Sequence, residues 1–276
     1  IRGFMEAIVH RYQVMLPVTA GKDSRTLLAA SRNFTNRVYY YINKVGNMTE
    51  DSPDVAVPVK LMPMLGLDFH IEIPDQRIEE DFRKVYFHNN PYASEGYLPL
   101  IHHYHSKFPD RVNLPGNMAS AAFEIYRGRK MKITPKSLAR LNRLDRFQYA
   151  LSYYERWISG CRDLCSSHRV SMLNLFYWEE RLANWGTQIQ MEKDLAQEDI
   201  NPFNSRDLTV LYLSVHPRYI VSPYYKLHSE VIRNLWPEVL GIRINTSRRN
   251  SLLKVGKSLG ILDLYYRIKY SWINNY

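Results

Sequence analysis

The sequence predicts an α/β fold, a parallel sheet with flanking helices followed by a mainly helical C-terminal region. Three observations predict it. Between residues 13 and 74, β-forming runs alternate with helix-period segments in the order strand, helix, strand, helix, strand, as in a parallel sheet covered by helices. The first strand, from Val14, runs into a polar stretch, Thr19-Ala20-Gly21-Lys22-Asp23-Ser24, and then directly into apolar residues at helical spacing. From Ser137 onward the pattern turns helical, with apolar residues three and four apart. Two regions are therefore expected: an α/β core over 1–130 and a mainly helical region over 131–276, divided near a basic turn that contains Pro135.

Each element has its own justification. Ile1, Phe4, Met5, Ile8 and Tyr12 share helical spacing and give a leading helix. Thr26 to Phe34 reads as the helix after the loop. Arg37 to Asn43, R-V-Y-Y-Y-I-N, is a second strand rich in β-formers. Asp54 opens a helix to Leu65 whose two prolines predict a kink or break. Gly66 ends it, and residues 68–74 alternate as a third strand. Two helices follow over 75–90 and 94–107; the second carries His102, His103 and His105, at a spacing that does not gather all three around one metal. Residues 111–116 form a fourth strand ending at Gly116. Helices are expected over 137–145, 146–166, 170–194 and 224–235, the last ending at Trp236-Pro237.

The Thr19 to Ser24 stretch has the chemistry of an anion site. Backbone N–H groups and the Thr19 and Ser24 hydroxyls would converge at a helix N-terminus, where the dipole also favours a phosphate. Gly21 allows close backbone approach, and the Asp23 carboxylate suits Mg²⁺ held against a polyphosphate. In open parallel sheets ligands bind beyond the carboxyl ends of the strands, where this loop lies. A helix capped by Asp23 or Ser24 after a buried strand would use the same residues. No G-x-x-x-x-G-K-[ST] pattern occurs, which disfavours an ordinary P-loop kinase or GTPase.

Composition narrows the class. The 276 residues, 45% hydrophobic, suit one large domain or two moderate ones. No apolar run is long enough to span a bilayer and the first residues lack a signal-peptide pattern, so a cytoplasmic protein is expected. The chain starts at Ile1 rather than Met, so an N-terminal piece is expected to be missing. Cys161 and Cys165, the only cysteines, read as a core pair rather than a disulfide or zinc site. The net charge of +10, with 21 tyrosines, permits nucleic-acid binding and equally a nucleotide-phosphate site, an anionic sugar substrate or an anionic membrane surface. The excess lies late, in residues 127–132 and 247–257.

The hexapeptide resembles S-G-G-x-D-S, the pyrophosphate-binding PP-loop of the ATP pyrophosphatases, the family of asparagine synthetase, β-lactam synthetase and argininosuccinate synthetase. It departs from it by Thr19 for Ser and Ala20 for the first Gly. Gly116 and Glu124 loosely match the first Gly and the Glu of a second motif, G-E-G-A-D-E-L-F-G-G-Y, with Phe123 in place of the Asp. Phe176-Tyr177, Arg181 and Trp185-Gly186 resemble F-Y-x-x-x-R-x-x-x-W-G. Glu198, Pro202 and Phe203 match E-x-R-x-P-F-x-D, with Ile200 where that pattern has Arg. The ordered matches cover most of the chain.

What the resemblance implies is an adenine nucleotide alpha hydrolase-like fold and an asparagine synthetase-like ligase without the glutaminase domain. Such an enzyme adenylates a substrate carboxylate with ATP and Mg²⁺, releases pyrophosphate and forms an amide, with a sugar acid of a surface polysaccharide as one such acceptor. Thr19, Ala20, Gly21, Lys22, Asp23, Ser24 and Gly116 would bind the nucleotide, and Asp23 and Glu124 the metal. The nitrogen would come from ammonia, an amine or a separate glutaminase. The catalytic lysine of the pattern R-x-K falls on Asn245, leaving Lys254 or Lys257, with Glu124, to carry catalysis, and Lys226 as a further candidate. Two alternatives are a tRNA-modifying ATP pyrophosphatase and a degenerate, non-catalytic nucleotide-binding relative.

Overall fold

The computed structural model describes residues 1–117, 131–168, 170–216, 219–220 and 225–244. The chain divides into two compact units, Ile1–Ser120 with Gln188–Val255, and Ala121–Thr187 with Gly256–Tyr276. Residues 188–255 thus return to the unit that holds the sheet.

In the first unit, α1 (Arg2–Arg11) leads into β1 (Gln13–Pro17), followed by α2 (Lys22–Ala30), β2 (Val38–Asn43), α3 (Pro53–Met64), β3 (His70–Glu72), α4 (Glu80–Asn89), α5 (Leu98–Lys107) and β4 (Arg111–Asn113). The four strands form a parallel sheet in the order β3-β2-β1-β4, with Val14 opposite Val38 on one side and Val112 on the other. The order of strands reverses between β1 and β4, which makes their carboxyl ends the switch point of the sheet. Side chains alternate along β1: Val14 and Leu16 enter the larger core with Leu27, Leu28, Leu61 and Val239, while Met15 enters the opposite face with Tyr41 and Tyr104. Helices thus cover both faces, and β1, buried throughout its middle, is the axis of the unit.

The strands at the edges are shorter than their sequence patterns. β3 keeps only His70–Glu72 of 68–74, and β4 stops at Asn113 because Pro115 offers no N–H to extend it. The β4 edge is closed instead by the segment after the second unit: Asn113 N donates to Glu198 O at 2.9 Å and Ile200 N to Asn113 O at 2.8 Å. Ile200 packs against the larger core and Phe203 is buried in it. α3 runs through Pro58 and Pro63 as one helix, with Pro53 in its first turn. α9 (Thr187–Lys193), α10 (Arg206–Ser214), α11 (Lys226–Leu235) and a 3₁₀ turn at Pro237–Gly241 complete the unit, although α9 begins one residue before it.

Glu72 fastens the sheet to α5. Tyr39 Oη donates to Glu72 Oε1 at 2.6 Å, while His103 Nε2 and Lys107 Nζ lie 2.9 and 3.4 Å from Oε2. Burial would raise the Glu72 pKa, but the hydrogen bonds from Tyr39 and His103, with the Lys107 charge, outweigh it and hold the carboxyl below 4.5. Burial lowers the His103 pKa below 6.5 against the pull of Glu72. Both shifts act in the same direction: as pH falls, the unfolded chain takes up each proton before the folded one, so stability is lost below pH 6.5 and again through the carboxylate range. The urea midpoint is expected to fall between about pH 7 and about pH 4, and Glu72→Gln to lower it at neutrality and remove the carboxylate part of that decline, while His103, freed from the upward pull of Glu72, keeps its own part. An equal slope in the variant below about pH 5 would exclude Glu72 as its source.

The second unit is helical. Thr134 and Ser137 form a reciprocal capping box on α6 (Pro135–Leu141), and α7 (Gln148–Ser167) and α8 (Met172–Phe176) follow. The chain then continues through a π-helical stretch, Tyr177–Gly186, where the sequence predicts one uninterrupted helix. Leu138, Tyr154, Ile158, Phe176 and Tyr177 make its core. Cys161 and Cys165 are unpaired on α7, and burial, followed by the Glu179 charge, raises both thiols above 9.0. Among the described residues, no helix is long and apolar enough to cross a membrane.

Candidate functional site

At the carboxyl end of β1 the chain folds back on itself. Thr19 N donates to Ser24 Oγ at 3.1 Å, the two hydroxyls Thr19 Oγ1 and Ser24 Oγ are hydrogen-bonded at 2.9 Å, and Gly21 N donates to Thr19 Oγ1 at 3.0 Å. Ala20 N donates to Asp54 Oδ1, at the start of α3, at 3.1 Å. Of the predicted polar loop only Thr19, Ala20 and Gly21 are loop. Lys22, Asp23 and Ser24 form the first turn of α2, which begins four residues before the expected Thr26. The reason is local: Gly21 takes the extended N-cap conformation (φ −73°, ψ 158°) and Asp23 complements the helix dipole. Its N-cap, Gly21, supplies no side-chain cap, and an α-helix amino terminus favours an anion.

The exit from β4 closes against this turn. A Cβ on Gly116 would lie 2.9 Å from Ser24 N and 3.1 Å from the Asp23 carbonyl carbon and Cβ. Two stretches singled out separately in the sequence therefore touch, backbone to backbone, at the switch point. A polar network lies behind Gly116. Asn113 Nδ2 donates to Asp199 Oδ1 at 2.6 Å, Lys193 Nζ donates to Asp199 Oδ2, and Tyr41 Oη donates to Asn113 Oδ1 at 2.9 Å. Burial raises the neighbouring Tyr104 phenol to about 12.

The site contains residues that sequence reasoning did not identify. His228 on α11 is fully buried, and its Nε2 lies 3.4 Å from Asp23 Oδ1 and 3.2 Å from Tyr212 Oη. Burial first, then the Asp23 charge, raises the Tyr212 pKa, so this phenol stays neutral. Lys22, 4% exposed, places Nζ 3.6 Å from Asp23 Oδ2 and 5.0 Å from the Tyr225 ring centroid. Tyr225 adopts a left-handed backbone (φ 45°) in giving α11 its start. Arg25 is fully buried, donates through Nη2 to the carbonyls of Val239 and Ile242, and has its pKa lowered by burial to about 10. The contacts of His228 with Asp23, of Tyr225 with Lys22 and of Arg25 with Val239 and Ile242 join residues more than 180 positions apart, and no spacing rule links them. The one visible signal was Arg25 itself, a charge within an apolar helical run.

Glu124, Lys254, Lys257, Asn245 and the basic residues 127–130 and 247–257 lie outside the described residues. Lys226 is described, with Nζ 5.8 Å from the Tyr219 ring. A cleft of about 450 Å³ opens beyond the carboxyl ends of β2 and β3, lined by Lys44, Val45, Met48, Ile73, Pro74 and Leu100 among others, on the edge of the sheet that carries the loop. A larger cavity of about 660 Å³ borders Gln13, Val38 and Arg111 at the opposite, amino edge, away from the loop. Among the described residues, no three or more His, Cys, Asp or Glu side chains cluster as a metal site. Comparison with known families and with curated proteins finds no match to this chain.

Proposed function

We propose that the protein is an ATP-dependent carbon-nitrogen ligase of the asparagine synthetase-like kind, which adenylates a substrate carboxylate and transfers it to ammonia or an amine. The observation that carries this reading is the contact of Gly116 with Asp23 and Ser24, which joins the two stretches that resemble nucleotide motifs. The residues fit the ligands: α2 offers an amino terminus whose N-cap, Gly21, brings no capping side chain, and Asp23 offers a hard oxygen donor beside it, its Oδ1 buried without a hydrogen-bond partner among the described residues. The cleft beside β2 and β3, mostly apolar and on the same edge, suits a nucleoside.

In this reading a carboxylate oxygen attacks the α-phosphorus of ATP, pyrophosphate leaves, and the nitrogen nucleophile then displaces AMP from the acyl-adenylate. The amino end of α2, with the Thr19 and Ser24 hydroxyls, holds the departing pyrophosphate, and catalysis rests on positioning and charge compensation. Bound Mg²⁺ would supply neutralisation of the polyphosphate charge, with Asp23 as its protein ligand; the second ligand that the resemblance implies, Glu124, lies outside the described residues. Glu124 and a late lysine, Lys254 or Lys257, take the catalytic roles, and the acceptor is a small-molecule or carbohydrate acid. A cytoplasmic location accords with ATP as substrate.

A second reading, a non-catalytic nucleotide-binding relative, is favoured by one observation. The amides of Thr19, Ala20 and Gly21 are all taken by side chains of the protein itself. The deciding experiment is pyrophosphate release from labelled ATP, with uronic and amino acids as candidate carboxylates and tRNA in a separate arm, alongside the ATP-induced rise in Tm. Release with a carboxylate is expected. A Tm rise without any release supports the non-catalytic reading, release only with tRNA supports RNA modification, and neither signal removes all three.

A further inference from the structure

We infer that His228 is the positioning residue for Asp23, fixing its carboxylate for a Mg²⁺-nucleotide; this rests on the ATP reading above. α11 brings His228 to the first turn of α2 in a fully buried position. The Asp23 carboxylate is addressed from two sides, by Lys22 Nζ at 3.6 Å from Oδ2 and by His228 Nε2 at 3.4 Å from Oδ1. Both are ion-pair distances longer than a direct hydrogen bond, and Asp23 Oδ1 is buried without a hydrogen-bond partner among the described residues, an acceptor left for a cation. Tyr212 Oη makes the hydrogen bond at Nε2, at 3.2 Å, and the Asp23 carboxylate faces the same nitrogen.

The geometry excludes a proton relay through the imidazole. A relay uses both ring nitrogens, one toward the reacting group and one toward an orienting partner. Here Asp23 and Tyr212 both face Nε2, while Nδ1 is buried with no hydrogen-bond partner among the described residues. His228 therefore meets Asp23 and Tyr212 through one nitrogen alone.

That asymmetry supplies the test. Glutamine can place an N–H where Nε2 lies, whereas leucine fills similar volume and donates nothing. ATP binding is measured by calorimetry across a Mg²⁺ titration, without acceptor. His228→Leu is expected to raise the Mg²⁺ concentration for half-maximal binding about tenfold, with Mg²⁺-free ATP binding unchanged, and His228→Gln to restore it to within about threefold. In an Asp23→Asn background His228→Leu should add nothing. Mg²⁺-ATP binding in the wild type with no change in His228→Leu overturns this assignment alone, as does His228→Gln behaving like the leucine variant. Should His228→Leu fail to fold, an altered Mg²⁺ requirement in His228→Gln overturns it. No Mg²⁺-ATP binding in the wild type overturns both this assignment and the ATP reading.

Discussion

Asp23→Ala is expected to abolish Mg²⁺-dependent ATP binding, lowering affinity by about 100-fold or more, or about 2.7 kcal/mol, as loss of a cation's only described protein carboxylate should. The fold should tolerate it. The Asp23 side chain is 29% exposed, and its contacts to Lys22 and His228 are longer than direct hydrogen bonds. Lys22 keeps its place over the Tyr225 ring. Calorimetry with and without Mg²⁺ separates the effects: Mg²⁺-free binding should change little, because the α2 amino terminus remains. Unaltered Mg²⁺-dependent binding would show that the site lies elsewhere.

Gly116→Val should remove binding by another route. Its Cβ would press on Ser24 N at 2.9 Å and on Asp23 main-chain and Cβ atoms at 3.1 Å, and a helix's first turn cannot yield as a flexible side-chain end can. Either α2 shifts or the exit from β4 does, and both movements part the two stretches that make the site. We expect a stability loss of about 1–3 kcal/mol together with loss of the ATP-induced Tm rise. Gly116→Ala, with the same Cβ and less bulk, should act in the same direction. Wild-type ATP response in the alanine variant would mean that the close approach plays no part in binding.

The sheet was legible because its signal is local. Alternation along Val14 to Leu16 sends side chains to two faces, and the same rule reads β2 from Val38 to Asn43. The fault at the start of α2 has a local cause too: the polar character of Lys22, Asp23 and Ser24 reads as loop, whereas a helix's first turn favours such residues. The candidate site was legible only in its main-chain parts, Thr19 to Ser24 and Gly116. Asp54, Tyr212 and His228 come from three helices and meet the loop only through packing, so nothing in their spacing announces them. Ile200 illustrates the converse. Its departure from the resembled pattern is intelligible once the segment is seen to line the edge of β4 and lean on the core.

Arg25 sets an order on the making of this protein. The helix that begins the candidate site is synthesised early, yet the carbonyls that receive its buried guanidinium belong to Val239 and Ile242. Until those residues have left the ribosome, α2 carries a charge that it can neither bury nor satisfy. The first residues of the candidate site are thus among the last to be secured. A nascent chain stopped short of Pro237 should hold the sequence of the site without its structure.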